Sequence, residues 1–127
     1  MPVLKEIMTS DVFTTEPGAT VSEVAAHMLK GRFGSALVMQ GSILTGIFTE
    51  RDVLRAAAAH ADLTASKISE WMTNDPVTAS PDMEAGEAAE VMMSQGFRHL
   101  PVVDGNAVAG IVSLRDILRT RVRRSGS

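Results

Sequence analysis

Two short stretches carry polar groups at one shared spacing: Gly46-Ile47-Phe48-Thr49-Glu50-Arg51-Asp52 and Gly110-Ile111-Val112-Ser113-Leu114-Arg115-Asp116. In each, a hydroxyl is followed three residues later by a carboxylate. If the hydroxyl ends a strand and the carboxylate lies in the first turn of a helix, the two face the same side. Such a carboxylate can accept hydrogen bonds from both hydroxyls of a ribose, and the amino end of the helix favours a phosphate. Glycine at 46 and 110 lets another backbone or a ligand come close to the strand. The same spacing also makes a plain capping box, in which side chain and backbone satisfy each other with no ligand at all. Spacing supports the two readings equally.

The stretches recur because the chain recurs. A shift of 64 residues aligns residues 6–55 with 70–119 without a gap. Met8-Thr9 returns as Met72-Thr73, Asp11 as Asp75, Thr14 as Thr78, Pro17 as Pro81, Phe33 as Phe97 and Gly41 as Gly105. Each copy reads as strand, helix, strand, strand, helix. Residues 12–15 and 77–79 are short β-prone runs that stop at Pro17 and Pro81. Thr20-x-x-Glu23 is a helix-start signature, after which Val21, Val24, Ala25 and Met28 form an apolar stripe at helical spacing. Ala85, Ala88, Ala89 and Met92 do the same in the second copy, with the methionines as core filler, and Gly31 and Gly96 mark the ends. Hairpins follow, with strands at 36–39 and 43–48, then 100–103 and 107–112, turning at Gln40-Gly41-Ser42 and Asp104-Gly105-Asn106. Helices at 50–60 and 114–122 close the copies.

The expected organisation is therefore repeat 1 at residues 1–60, a linker at 61–67, repeat 2 at 68–122 and a flexible basic tail at 123–127. The fold class is α+β. A three-stranded half leaves one sheet face bare, so the copies are expected to pack sheet to sheet about a pseudo-twofold axis.

Composition narrows the function. With 127 residues and 45% hydrophobic content there is enough apolar surface for a core. The lack of cysteine excludes disulfides and thiolate metal ligands, the three histidines are scattered, and a cytoplasmic setting is expected with no membrane span. Net charge is −3, but residues 115–127 alone carry +4. That tail suits a helix carboxyl end, and an acidic body with 4% aromatics argues against nucleic acid. No P-loop, HExxH or nucleophile–base arrangement is present, so no enzyme is expected.

With its two glycine–apolar–apolar–Thr/Ser–x–x–Asp motifs, the Ile-Met-Thr and Trp-Met-Thr openings, the Leu100-Pro101-Val102-Val103-Asp104 strand and the tandem arrangement, the chain resembles the CBS family, named after cystathionine beta-synthase. The first copy departs from it at Leu37-Val38-Met39-Gln40. The resemblance implies a stand-alone CBS pair that senses an adenosine-containing ligand in the inter-repeat cleft and signals to a partner protein. Candidate ligands are AMP, ADP, ATP, S-adenosylmethionine and NADH, with no cofactor required. It implies ribose contacts at Thr49, Asp52, Ser113 and Asp116, flanked by Arg51 and Arg115. Arg98 and His99 would meet phosphate, where the first copy has Gly34 and Ser35. Thr14, Thr78, Val12 and Val77 would lie near adenine. Relatives dimerise through their helices, so a homodimer is expected, with Ala56 to Ala59 and the Met92-Met93 pair as candidate surfaces. The alternative is a nucleic-acid-binding or purely structural dimerisation module acting through the arginine-rich last helix and the helical faces.

Overall fold

The computed structural model describes the backbone of residues 2–126 and the side chains of residues 2–120. The chain divides into two compact units, one formed by Val12–Pro76 and the other by Met1–Asp11 together with Val77–Ser127. Each unit thus takes its opening segment from the sequence that leads into the other repeat.

In the unit of residues 12–76, β1 (Thr14–Thr15) is followed by α2 (Val21–Gly31), β2 (Ser35–Gln40), β3 (Ile43–Thr49), α3 (Glu50–Ala58), a 3₁₀ turn at Ile68–Glu70 and β4 (Thr73–Asn74); α1 (Leu4–Ile7) belongs to the other unit. The sheet order is β1-β2-β3-β4, with β1 parallel to β2 and the other pairs antiparallel. Thr20 caps α2 by accepting a hydrogen bond from Glu23 N–H at 3.2 Å. The apolar stripe of that helix buries Val21, Val24 and Met28 against Ala36, Val38 and Phe48 of the hairpin. A fully buried side chain of this kind stabilises by about 1.5–3 kcal/mol. Gly31 is the last helical residue, and Arg32 takes the left-handed conformation (φ 60°) at the end of the helix. Gly31 is small for another reason: a Cβ there would come within 2.4 Å of the Phe33 ring.

The other unit repeats the plan with α4 (Ala85–Gln95), β5 (His99–Asp104), β6 (Ala107–Ser113) and α5 (Leu114–Gly126). Its core gathers Leu4, Ala88, Met92, Leu100, Val112 and Ile117. Gly96 holds the left-handed position (φ 80°) that Arg32 holds in the first repeat. The side chains from residue 121 onward, those of the expected flexible basic segment 123–127 among them, lie outside the described residues.

The first strand of the second repeat shrinks to one parallel bridge, Ala79 with Val102, although residues 77–79 read as a strand. The cause is Pro101. In the first repeat Leu37 N–H donates to Phe13 O at 2.9 Å, whereas Pro101, at the matching place, has no N–H to offer Val77. Ala79 keeps its bonds, donating to Pro101 O and accepting from Val103 N–H, both at 2.9 Å.

The motif glycines are explained by backbone approach. A Cβ at Gly110 would lie 2.7 Å from Thr9 O and 2.9 Å from Met8 Sδ; one at Gly46 would lie 2.7 Å from Met72 Sδ and 3.0 Å from Thr73 O. Met-Thr and glycine are thus two sides of one contact, made once in each unit. Overpacking of this kind costs typically about 1–3 kcal/mol. Gly110→Ala is expected to lower the urea midpoint more than Gly46→Ala, because its first obstacle is backbone and not the end of a flexible thioether. Equal midpoints for both variants and the unmodified chain would contradict the contact.

Candidate functional site

In both repeats a hairpin strand runs directly into a helix, and the hydroxyl and carboxylate of the motif sit at that junction. Ser113 N–H donates to Asp116 Oδ2 at 3.0 Å, and Asp116 N–H donates to Ser113 Oγ at 3.1 Å. In the first repeat Thr49 N–H donates to Asp52 Oδ2 at 2.9 Å, and the Thr49 hydroxyl donates to the same oxygen at 3.3 Å. The capping use of the spacing is therefore realised twice. Any ligand chemistry must rest on the oxygens that capping leaves over.

Those differ. Asp52 is 6% exposed, and its Oδ1 accepts from Arg55 Nη1 at 2.8 Å. Asp116 is half-buried, and among the described residues its Oδ1 has no partner. Arg119, in register with Arg55, makes no ion pair among the described residues.

The strand pairing brings the remaining candidates to the same places. His99 lies opposite Ser113, and Leu114 N–H donates to Arg98 O at 3.0 Å, so Arg98, His99, Ser113 and Asp116 share one end of the β5–β6 hairpin. The Arg98 side chain is exposed there, as is that of Arg115. Ser35 lies opposite Thr49, and Glu50 N–H donates to Gly34 O at 3.2 Å, so Gly34, Ser35, Thr49 and Asp52 share the matching end of β2–β3, beside exposed Arg51. This second group offers no cation before the strand, and Ser35 is buried.

Thr14 pairs with Leu37 on the edge of its sheet, and half-buried Val12 precedes it. Thr78 and Val77 precede the Ala79 bridge; both are exposed, Val77 as an apolar side chain with 41% of its surface open. Among the described residues no hydrogen bond joins any of the four to either carboxylate. The described residues also hold no cluster of three or more His, Asp or Glu fit for a metal ion.

Two residues of the first junction escaped the sequence reading. Arg55 Nη1 also donates to Trp71 O at 3.3 Å, and its guanidinium lies 5.7 Å from the centre of the Trp71 ring. The signal was a mismatch between the copies: Trp71 answers to Ile7, so only the unit of residues 12–76 has an aromatic face at that place.

Away from the junctions, exposed apolar side chains occur at matching positions on the helices: Leu29 (84%) with Met93, and Leu54 with Leu118 (51%). In the second repeat Met93, Leu118, Gly86, Ala89 and Ile117 line a groove of about 210 Å³ between α4 and α5. Met92 and Ala56, offered by the sequence as surface residues, are buried in the cores instead. Among the described residues no helix is long and apolar enough to cross a membrane.

The comparisons with known proteins agree with this architecture. The CBS domain family model matches residues 4–59 and 68–123, and the chain belongs to that family. An uncharacterized 17.7 kDa protein of Acidianus ambivalens is 36% identical over 118 residues, spanning 91% of this chain and 71% of that protein. The crystal structure of the CBS-domain containing protein ATU1752 from Agrobacterium tumefaciens superposes with a TM-score of 0.89 at 28% identity, covering 94% of this chain and 99% of that one. The CBS domain pair of protein MJ0100, solved in complex with 5′-methylthioadenosine and S-adenosyl-L-methionine, gives a TM-score of 0.89 at 26% identity, covering 97% and 98%.

Proposed function

We propose that this CBS pair is a regulatory sensor without catalytic activity, which takes an adenosine-containing ligand at the β5–β6–α5 junction of its second repeat and reports to a partner protein. The observation that carries this is the open Oδ1 of Asp116, set where an exposed guanidinium and an imidazole meet at one hairpin end. Asp116 would accept from the ribose hydroxyls, Ser113 would hold its orientation, and Arg98 with His99 would meet phosphate or another polar end. Exposed Val77 and Thr78 offer an apolar and polar edge for adenine, with Val12 and Thr14 as their counterparts in the first repeat. Support from outside comes from the MJ0100 pair, which binds two adenosine derivatives. The surrounding chemistry fits AMP, ADP, ATP, S-adenosylmethionine and NADH alike, since all carry the adenosine ribose.

In this proposal a second copy of the chain would cover exposed apolar side chains on the helices of each unit, Leu29 and Leu54 in one and Met93 and Leu118 in the other. A patch repeated by internal symmetry suits an isologous contact, in which each copy offers the same residues.

Asp116→Asn is expected to weaken the best ligand of that panel by about tenfold to a hundredfold, the loss of roughly 1.5–3 kcal/mol from a charge-assisted bond. Asn keeps an oxygen for Ser113 N–H, so the melting temperature should change little. Arg98→Ala should weaken AMP and ATP more than adenosine, with a difference that shrinks as salt rises. Calorimetry that finds nucleotide affinity unchanged in both variants, or no binding of any panel member to the unmodified chain, would refute the reading. Light scattering should give a dimer mass at micromolar concentration, and Leu54→Glu/Leu118→Glu should give a monomer with its fold intact. A monomeric unmodified chain would overturn the dimer.

A further inference from the structure

The two carboxylates are chemically alike and differ in what already occupies them, and we infer that Arg55 is a built-in competitor that keeps the first repeat's Asp52 from accepting a ribose. This rests on the ribose reading of the motif given above. Asp52 Oδ2 is taken by Thr49, and Oδ1 by Arg55 at 2.8 Å, so both oxygens are engaged within the chain. The Asp52 side chain is only 8% exposed, whereas the Arg55 side chain paired with it is 56% exposed. Arg55 is therefore the movable, solvent-facing half of the pair. Its other anchors belong to Trp71: the carbonyl at 3.3 Å and the ring at 5.7 Å.

The other compact unit supplies the comparison within one molecule. Arg119 stands at the place of Arg55, but Ile7 stands at the place of Trp71 and presents no aromatic face. Among the described residues Arg119 forms no ion pair, and Asp116 Oδ1 stays open. The arginine alone does not close a site; arginine with tryptophan beside it does. The chain thus offers one open carboxylate and one internally satisfied one, and a ligand's hydroxyls gain at Asp52 only what displacing a charge-assisted bond leaves over. The expected stoichiometry is one ligand per chain. A ligand that reached Asp52 would have to lift Arg55 from Trp71, the single tryptophan of the chain, so its emission reports that event.

The test is calorimetry with AMP and with adenosine on the full chain, on Arg55→Gln and on Arg55→Gln/Asp116→Asn, with melting curves to confirm that each is folded. The unmodified chain should bind one equivalent, with Trp71 emission unchanged. Arg55→Gln should bind two, the second event altering Trp71 emission. The double variant should keep only that second event, with the Asp116-dependent one weakened at least tenfold. Two equivalents on the unmodified chain, or one on Arg55→Gln, overturns the competitor role while leaving the Asp116 site standing. Weaker AMP binding in Arg55→Gln without a matching change for adenosine makes Arg55 a phosphate contact and also overturns it. Absence of binding to all three proteins removes the ribose reading itself, and the inference with it. As a second variant, Trp71→Leu should raise the stoichiometry with Arg55 in place, and one equivalent there would contradict the part assigned to the ring.

Discussion

A carboxylate that reaches back from the first turn of a helix to the last amide of the preceding strand is the bond on which the rest depends. It is made by Asp52 onto Thr49 and by Asp116 onto Ser113. Helix amides at an amino end have no partner within the helix, and an anion placed there is favoured by the helix dipole as well as by the hydrogen bond. The bond ties the first turn of α3 and of α5 to the end of the strand before it. It also spends one carboxylate oxygen and leaves the other to the surroundings, which is how a structural cap becomes a place where function can differ between two copies of one fold.

The strand that feeds each junction is held on its far side by a second constraint. Gly46 and Gly110 bring the Met-Thr segment of the other repeat's opening against the strand, so closely at Gly110 that a Cβ would lie 2.7 Å from Thr9 O. Each compact unit is therefore completed by residues from the start of the other repeat, Thr73 pairing with Ile47 and Thr9 with Ile111. The repeats seen in sequence and the units seen in space are cut at different places.

Much of this was legible beforehand, and for physical reasons. Helical periodicity at Val21, Val24 and Met28 and glycine-bearing turns at 41 and 105 report burial and backbone conformation directly, and both appear in the structure where the pattern puts them. The register of 64 residues carried the fold of one half onto the other. What escaped depends on pairs that meet only after folding. Pro101 shortens a strand because of a donor missing opposite Val77, which no local pattern at 77–79 reveals. Arg55 finds Trp71 across sixteen residues, and the exposure of Leu29, Leu54 and Leu118 depends on which helix face the sheet takes. The candidate site was readable as a motif and unreadable as an asymmetry.

For the proposed sensor, that asymmetry makes one junction the place of response. Differential binding is the only means by which a ligand shifts a conformational equilibrium, and two junctions with unlike free oxygens supply the difference. The most direct measurement is the amide spectrum of ¹⁵N-labelled chain titrated with AMP. The account predicts that the Ser113, Leu114 and Asp116 amides shift and saturate while those of Thr49, Glu50 and Asp52 stay in place. Shifts confined to the Thr49–Asp52 amides, or equal and simultaneous shifts at both junctions, would contradict it.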